Sequence, residues 1–160
     1  MGQPLNITLP NPAATERFAQ QLAVALPEDA AGWVILLQGD LGTGKSSIAR
    51  AMLQALGHKG TVPSPTYTLV EPYQLARYPL YHVDLYRIAS SDELEFLGWS
   101  DLRDGLMLIE WPERVAGLEQ DADIRVALSY GAQGRDLRLS ALSERGQGIL
   151  PHLNPGSVNS

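Results

Sequence analysis

Cysteine is absent from the 160 residues, so neither a disulfide nor a thiolate metal site contributes to the fold or the chemistry. Positive charge is scarce. Lys and Arg number 12 against 18 Asp and Glu, for a formal net charge of −6. No block of Lys or Arg occurs, whereas a chain that grips nucleic acid by itself usually carries a basic face; any role near RNA is expected to pass through a partner. No run of about 18 apolar residues is present, which argues against a helical membrane span. Met1-Gly2-Gln3-Pro4-Leu5 lacks a charged region followed by an apolar one, so no secretory signal is expected. These absences fit a cytoplasmic protein. Hydrophobic content of 44% and charged content of 19% fit a globular domain, and a chain of this length buries about two-thirds of its unfolded surface.

Glycine, by contrast, is placed with a purpose. Gly39-Asp40-Leu41-Gly42-Thr43-Gly44-Lys45-Ser46 fits the phosphate-binding loop pattern G-x-x-x-x-G-K-[ST]. It follows the apolar run Trp33-Val34-Ile35-Leu36-Leu37 and opens a helical stretch from Ser46 to Leu56. Strand, loop and helix are the context the motif needs. Gly42 and Gly44 permit backbone conformations closed to other residues, so that loop N–H groups point inward as an anion cradle backed by the positive end of a helix. In this pattern Lys45 reaches the β- and γ-phosphates of a nucleoside triphosphate, and the Ser46 hydroxyl sits on Mg²⁺. Asp40 and Leu41 shape the loop more than they touch ligand. The candidate nucleotide-binding set is Gly39, Asp40, Leu41, Gly42, Thr43, Gly44, Lys45, Ser46 and Ser47, the last read as an ordinary first-turn residue.

Along the chain, Ile7-Thr8-Leu9 reads as an edge strand followed by prolines. A helix begins at Asn11 or Pro12, with Phe18, Leu22 and Leu26 at helical spacing, and Pro27 ends it. Trp33–Leu37 is a buried central strand. Ile48, Met52 and Leu56 line one face of the next helix, which Gly57 stops. Residues 61–73 read as a proline-rich loop leading into a strand, Leu80–Tyr86 as another strand, and Ser91-Asp92-Glu93-Leu94 as the start of a short acidic helix capped by Ser90 or Ser91. Leu106–Ile109 is a further apolar run. Ile124–Tyr130 and Asp136–Leu142 alternate as an antiparallel pair around Gly131-Ala132-Gln133-Gly134. The expected fold is α/β and P-loop NTPase-like: a mostly parallel central sheet, helices on both faces and a late antiparallel hairpin. One domain is expected over residues 1–145, and a loose tail over 146–160.

Hydrolysis requires a carboxylate for Mg²⁺ or for the attacking water. Asp84, after Leu80-Tyr81-His82-Val83, and Glu110, after Leu106-Met107-Leu108-Ile109, stand at the C-terminal ends of strands, where open α/β sheets bind ligands. Each also admits the plainer reading of a solvated or turn-capping acid. Ser64-Pro65-Thr66-Tyr67-Thr68 reads equally as a nucleotide-ordered loop whose hydroxyls face a γ-phosphate or as a proline-rich surface crossing. His82, Tyr86 and Trp111 read as packing residues. Arg87 and Arg135 are candidates for phosphate or base contact, against the plainer reading of solvated arginines.

The order of these motifs resembles one family. The phosphate loop, Ser64-Pro65-Thr66-Tyr67-Thr68-Leu69-Val70-Glu71, His82-Val83-Asp84-Leu85-Tyr86-Arg87, Glu93-Leu94-Glu95-Phe96-Leu97-Gly98 and Ile109-Glu110-Trp111-Pro112 follow each other as in the TsaE (YjeE) family, over about residues 7 to 142. The resemblance implies a small, weak P-loop ATPase needed for N6-threonylcarbamoyladenosine at position 37 of tRNAs reading ANN codons. It implies TsaD and TsaB as partners, with TsaD as the transferase and tRNA met only through the complex. It implies Ser46 and Glu110 as Mg²⁺ ligands, and Arg135 and the helix start around Asn11 to Thr15 beside the nucleotide. Thr66, from the hydroxyl-bearing segment above, joins the candidate nucleotide contacts. Catalytic roles are expected for Lys45, Glu110 and Asp84. The family more often has Thr at position 46 and Ala at position 43; Ser46 keeps the metal-binding oxygen. Two other readings are a small-molecule kinase on the same scaffold and a nucleotide-sensing module without turnover.

Overall fold

The computed structural model describes residues 2–63 and 69–158. The segment Ser64–Thr68, and with it the expectation for Thr66, lies outside the described residues.

Seven strands form one sheet: β1 (Leu5–Leu9), β2 (Val34–Gln38), β3 (Val70–Gln74), β4 (Pro79–Asp84), β5 (Leu106–Glu110), β6 (Ile124–Tyr130) and β7 (Arg135–Ala141). Their spatial order is β1-β7-β6-β2-β5-β4-β3. The central strands β6, β2, β5 and β4 pair in parallel. β7 and β3 run against their neighbours. The two parallel strands β2 and β5 are apolar along almost their whole length because both faces are covered. β3 carries Pro72 and stands at the edge, where a missing N–H disrupts no ladder.

The long helices α1 (Pro12–Ala25) and α2 (Lys45–Ala55) cover one face. Phe18, Leu22, Ile48 and Met52 interlock there with Ile35, Leu37, Leu106 and Leu108. α1 starts where its chemistry dictates. Asn11 is extended and accepts the Ala14 N–H at 2.9 Å, and Pro12 takes the first helical position. The other face is covered by α3 (Glu93–Phe96) and 3₁₀ turns, through Leu94, Leu102, Val115 and Leu118 packed on Val34, Leu36, Val83 and Ile109.

Two expectations change. The start of α3 is not capped by Ser90 or Ser91: Asp92 stands there without a side-chain bond. The Glu93 carboxylate instead reaches back to accept the N–H groups of Ala89 and Ser90 in the turn ahead of the helix. The expected loose tail is also replaced. α4 (Glu144–Ile149), a 3₁₀ turn at Leu150–His152 and α5 (Pro155–Val158) continue the chain, with Ile149, Leu150, Leu153 and Val158 buried in the first core. Side-chain bonds fix this stretch. Ser143 caps α4, Arg17 Nε donates to the Val158 carbonyl at 2.8 Å, and Gln21 Oε1 accepts the Asn154 N–H.

Candidate functional site

Alternation along the strands assembles the site. Residues 80, 82 and 84 of β4 face the same side as residues 106, 108 and 110 of β5, the side covered by α2. Asp84 and Glu110 are register partners at the strands' C-terminal ends. The loop from Gly39 to Gly44 leaves the end of β2, next to β5, and delivers Lys45 and Ser46 at the first turn of α2.

The loop's backbone explains its glycines. Gly42 and Gly44 have φ of 79° and 117°, values that a side chain strains. At Gly39 space is decisive as well: a Cβ would stand 2.7 Å from Thr43 Oγ1 and 2.8 Å from the Leu128 carbonyl oxygen. Thr43 is buried, and its hydroxyl donates to the Asp40 carbonyl at 2.7 Å, closing the turn.

Lys45 is 5% exposed. Its ammonium donates to the carbonyls of Gly39 and Asp40 and lies 3.9 Å from the centre of the Trp111 ring. Burial pushes its pKa below the ordinary lysine value, while the carboxylates of Glu110, Glu113, Asp84 and Asp40 pull the other way. Ser46 Oγ lies 3.0 and 3.1 Å from the two oxygens of Glu110. Glu110 Oε2 is also 2.6 Å from His82 Nε2. The Asp84 carboxylate is buried and accepts the Tyr86 N–H at 2.9 Å. Asp40, Leu41, Gly42, Gly44, Lys45, Ser46, Ser47, Asp84, Tyr86, Glu110 and Trp111 line one cleft of about 320 Å³.

A second cleft of about 350 Å³ lies across the loop, between Pro10, Asn11 and Thr15 on one side and Gly134 and Arg135 on the other. Arg135 Nη2 donates to the Gly42 carbonyl at 3.1 Å, and its guanidinium stacks on Tyr130, whose hydroxyl donates to the Leu41 carbonyl. The β6–β7 hairpin thus holds the outer side of the loop. Ser47, read as a first-turn residue, is exposed between the two clefts.

Most of the expected residues therefore converge. Arg87 does not: it lines a separate depression with Ile88, Glu93 and Phe96. Tyr86, read as packing, is 39% exposed on the cleft rim with its ring 4.8 Å from Trp111. His82 was read the same way, yet it bonds the central carboxylate. Its position two residues before Asp84, hence on the same face, is the signal that points to it. No sequence motif points to Tyr130, whose place beside the loop follows from the hairpin register.

The family model described as threonylcarbamoyl adenosine biosynthesis protein TsaE matches residues 9–137. The chain belongs to the TsaE family. A TsaE from Haemophilus influenzae, a tRNA threonylcarbamoyladenosine biosynthesis protein, is 44% identical over 137 residues, covering 84% of this chain and 85% of the relative. A TsaE of the same description from Synechocystis is 44% identical over 116 residues, covering 69% and 71%. The crystal structure of Bacillus subtilis YdiB superposes with a TM-score of 0.72 at 25% identity, covering 100% of this chain and 99% of that one. The TsaE match includes the loop, both strand-end carboxylates and Arg135, and it leaves out α4 and α5.

Proposed function

We propose that this TsaE-family chain is a P-loop ATPase of the cytoplasm that supports N6-threonylcarbamoyladenosine formation at adenosine 37 of tRNAs reading ANN codons. ATP hydrolysis would drive or reset a TsaD–TsaB complex that itself performs the transfer and holds the tRNA. The observation that carries this reading is the meeting of the Ser46 hydroxyl with the Glu110 carboxylate at 3.0 and 3.1 Å beside the phosphate loop.

Those oxygens suit Mg²⁺, which takes hard oxygen donors and is commonly held by one or two carboxylates plus substrate phosphates. Ser46 and Glu110 would hold it, and its charge would offset that of the β- and γ-phosphates. The loop N–H groups and the start of α2 receive the phosphates. Lys45 gives up the carbonyls of Gly39 and Asp40 to pair with them. Asp84, beside Glu110 in the register, orients the attacking water. The cleft between Asn11, Thr15 and Arg135 takes the base side of the nucleotide. Leu41, 68% exposed, and Tyr86 leave an apolar rim around the phosphate cleft, which supports completion of the site by a docked partner.

The test is the ATPase rate of the purified chain alone and with TsaD and TsaB. Slow turnover that rises with the partners is expected; an unchanged rate with no complex formed overturns the proposal. Glu110→Ala is expected to abolish the stimulated rate, a loss of about 100-fold or more, while the complex still forms. If the variant sustains tRNA modification in cells, a nucleotide sensor replaces the ATPase.

A further inference from the structure

His82 lies in the part of the site that catalysis by the loop does not use. Its ring is 1% exposed. On its strand face His82 stands between Leu80 and Asp84, and its cross-strand partners are Leu108 on β5 and Glu71 on β3, so the imidazole sits where the apolar core meets the acidic end of the sheet. Burying an imidazole costs free energy unless its nitrogens are bonded. Among the described residues Nδ1 has no hydrogen-bond partner. Nε2 has one, Glu110 Oε2 at 2.6 Å. An imidazole that carries its hydrogen on Nε2 can donate to the carboxylate at this position.

We propose that His82 is a positioning residue: its Nε2–H fixes the Glu110 carboxylate, and through it the divalent-cation site. The proposal rests on the Mg²⁺-nucleotide reading given above. Glu110 is held from two sides. Ser46 Oγ reaches it from α2, and His82 reaches it from the neighbouring strand. In this reading the Ser46 hydroxyl is itself a cation ligand, so its contact with the carboxylate changes when the cation enters. The His82 bond comes from the sheet, and its imidazole takes no part in that exchange. It engages Oε2 and keeps the carboxylate turned so that both of its oxygens face Ser46 Oγ, at 3.1 and 3.0 Å. Outer partners of this kind set the orientation and basicity of metal ligands.

Mn²⁺ serves as the spectroscopic probe, titrated by electron paramagnetic resonance into protein saturated with ADP, where no turnover occurs. His82→Phe is expected to weaken Mn²⁺ by about 10- to 100-fold, the usual cost of losing such a partner. ADP affinity in EDTA should stay within about twofold of wild type, because the loop and Lys45 are untouched. His82→Gln, whose Nε2 takes nearly the place of the imidazole Nε2, should recover most of the Mn²⁺ affinity. Nitrogen-15 spectra of the unsubstituted chain should show His82 as the Nε2–H tautomer, a readout that needs no variant to fold. Wild-type Mn²⁺ affinity in folded His82→Phe, equal loss in His82→Gln and His82→Phe, or an Nδ1–H tautomer would each overturn the role. If the wild-type chain binds neither ADP nor Mn²⁺, the nucleotide reading fails, and the tautomer still decides whether His82 donates to Glu110.

Discussion

Lys45 shows how much a single side chain carries in this site. Its ammonium is desolvated, satisfied by two loop carbonyls and covered by the Trp111 ring, so it is stored next to where phosphate would bind. A charge-assisted bond to phosphate contributes about 1.5–3 kcal/mol, and Lys45→Ala should therefore weaken ATP by about 10- to 100-fold. The Trp111 ring offers the readout. In a W33F/W99F background its fluorescence should change as ATP draws Lys45 away, and the titration should shift to higher ATP in the alanine variant. Undiminished affinity would contradict the assignment of the loop. Lys45, Ser46 and the glycines were legible in the sequence because a local backbone motif specifies them. His82 was legible only as a residue on the Asp84 face of its strand, since its bond to Glu110 spans 28 residues, and Tyr130 was not legible, since it acts through Leu41, 89 residues away.

At the level of elements, apolar runs and capping chemistry identified what local physics decides. The run Trp33–Leu37 became β2, the run before Glu110 became β5, and the alternating pair became the β6–β7 hairpin with its expected turn at residues 131–134. What local patterning left open is the second face of the sheet. Turns of three to six residues cover it, too short for periodicity to show. The start of α1 has a double role. Asn11 caps the helix and also lines the cleft across from Arg135. Asn11→Ala should cost about 1 kcal/mol and lower Tm by about 2–4 °C in a domain of this size, whereas Asn11→Asp should keep the cap. Thermal melts of the two variants check this. Equal losses would mean that the side chain matters through the cleft and not through the helix end.

Across the whole molecule, the C-terminal stretch is tied to the central strand by one buried acid. Asp123 is 3% exposed. Its carboxylate accepts the Val34 N–H at 2.9 Å, the Ser143 hydroxyl at 2.7 Å and Arg145 Nε and Nη2 at 2.7 and 2.9 Å. Arg145 also stacks on Trp33. None of this is visible from the composition of residues 146–160, where glycine and proline read as disorder, because the anchor lies in residues 33, 34 and 123. Burial raises the Asp123 pKa, but the Arg145, Val34 and Ser143 bonds together outweigh it, and the net shift is downward. A carboxyl whose folded pKa is depressed contributes its stability in full above the unfolded pKa of about 3.9 and loses it as pH falls through the folded value. Asp123→Asn should thus cost about 2–4 kcal/mol at neutral pH, allowing for the half-exposed Arg145 left behind. The gap between wild type and variant should narrow once the pH drops below about 4. Urea denaturation of both proteins at pH 7 and pH 3.5 measures it. A gap that stays constant across that range would show that the carboxylate's charge is not what fastens α4 and α5 to the sheet.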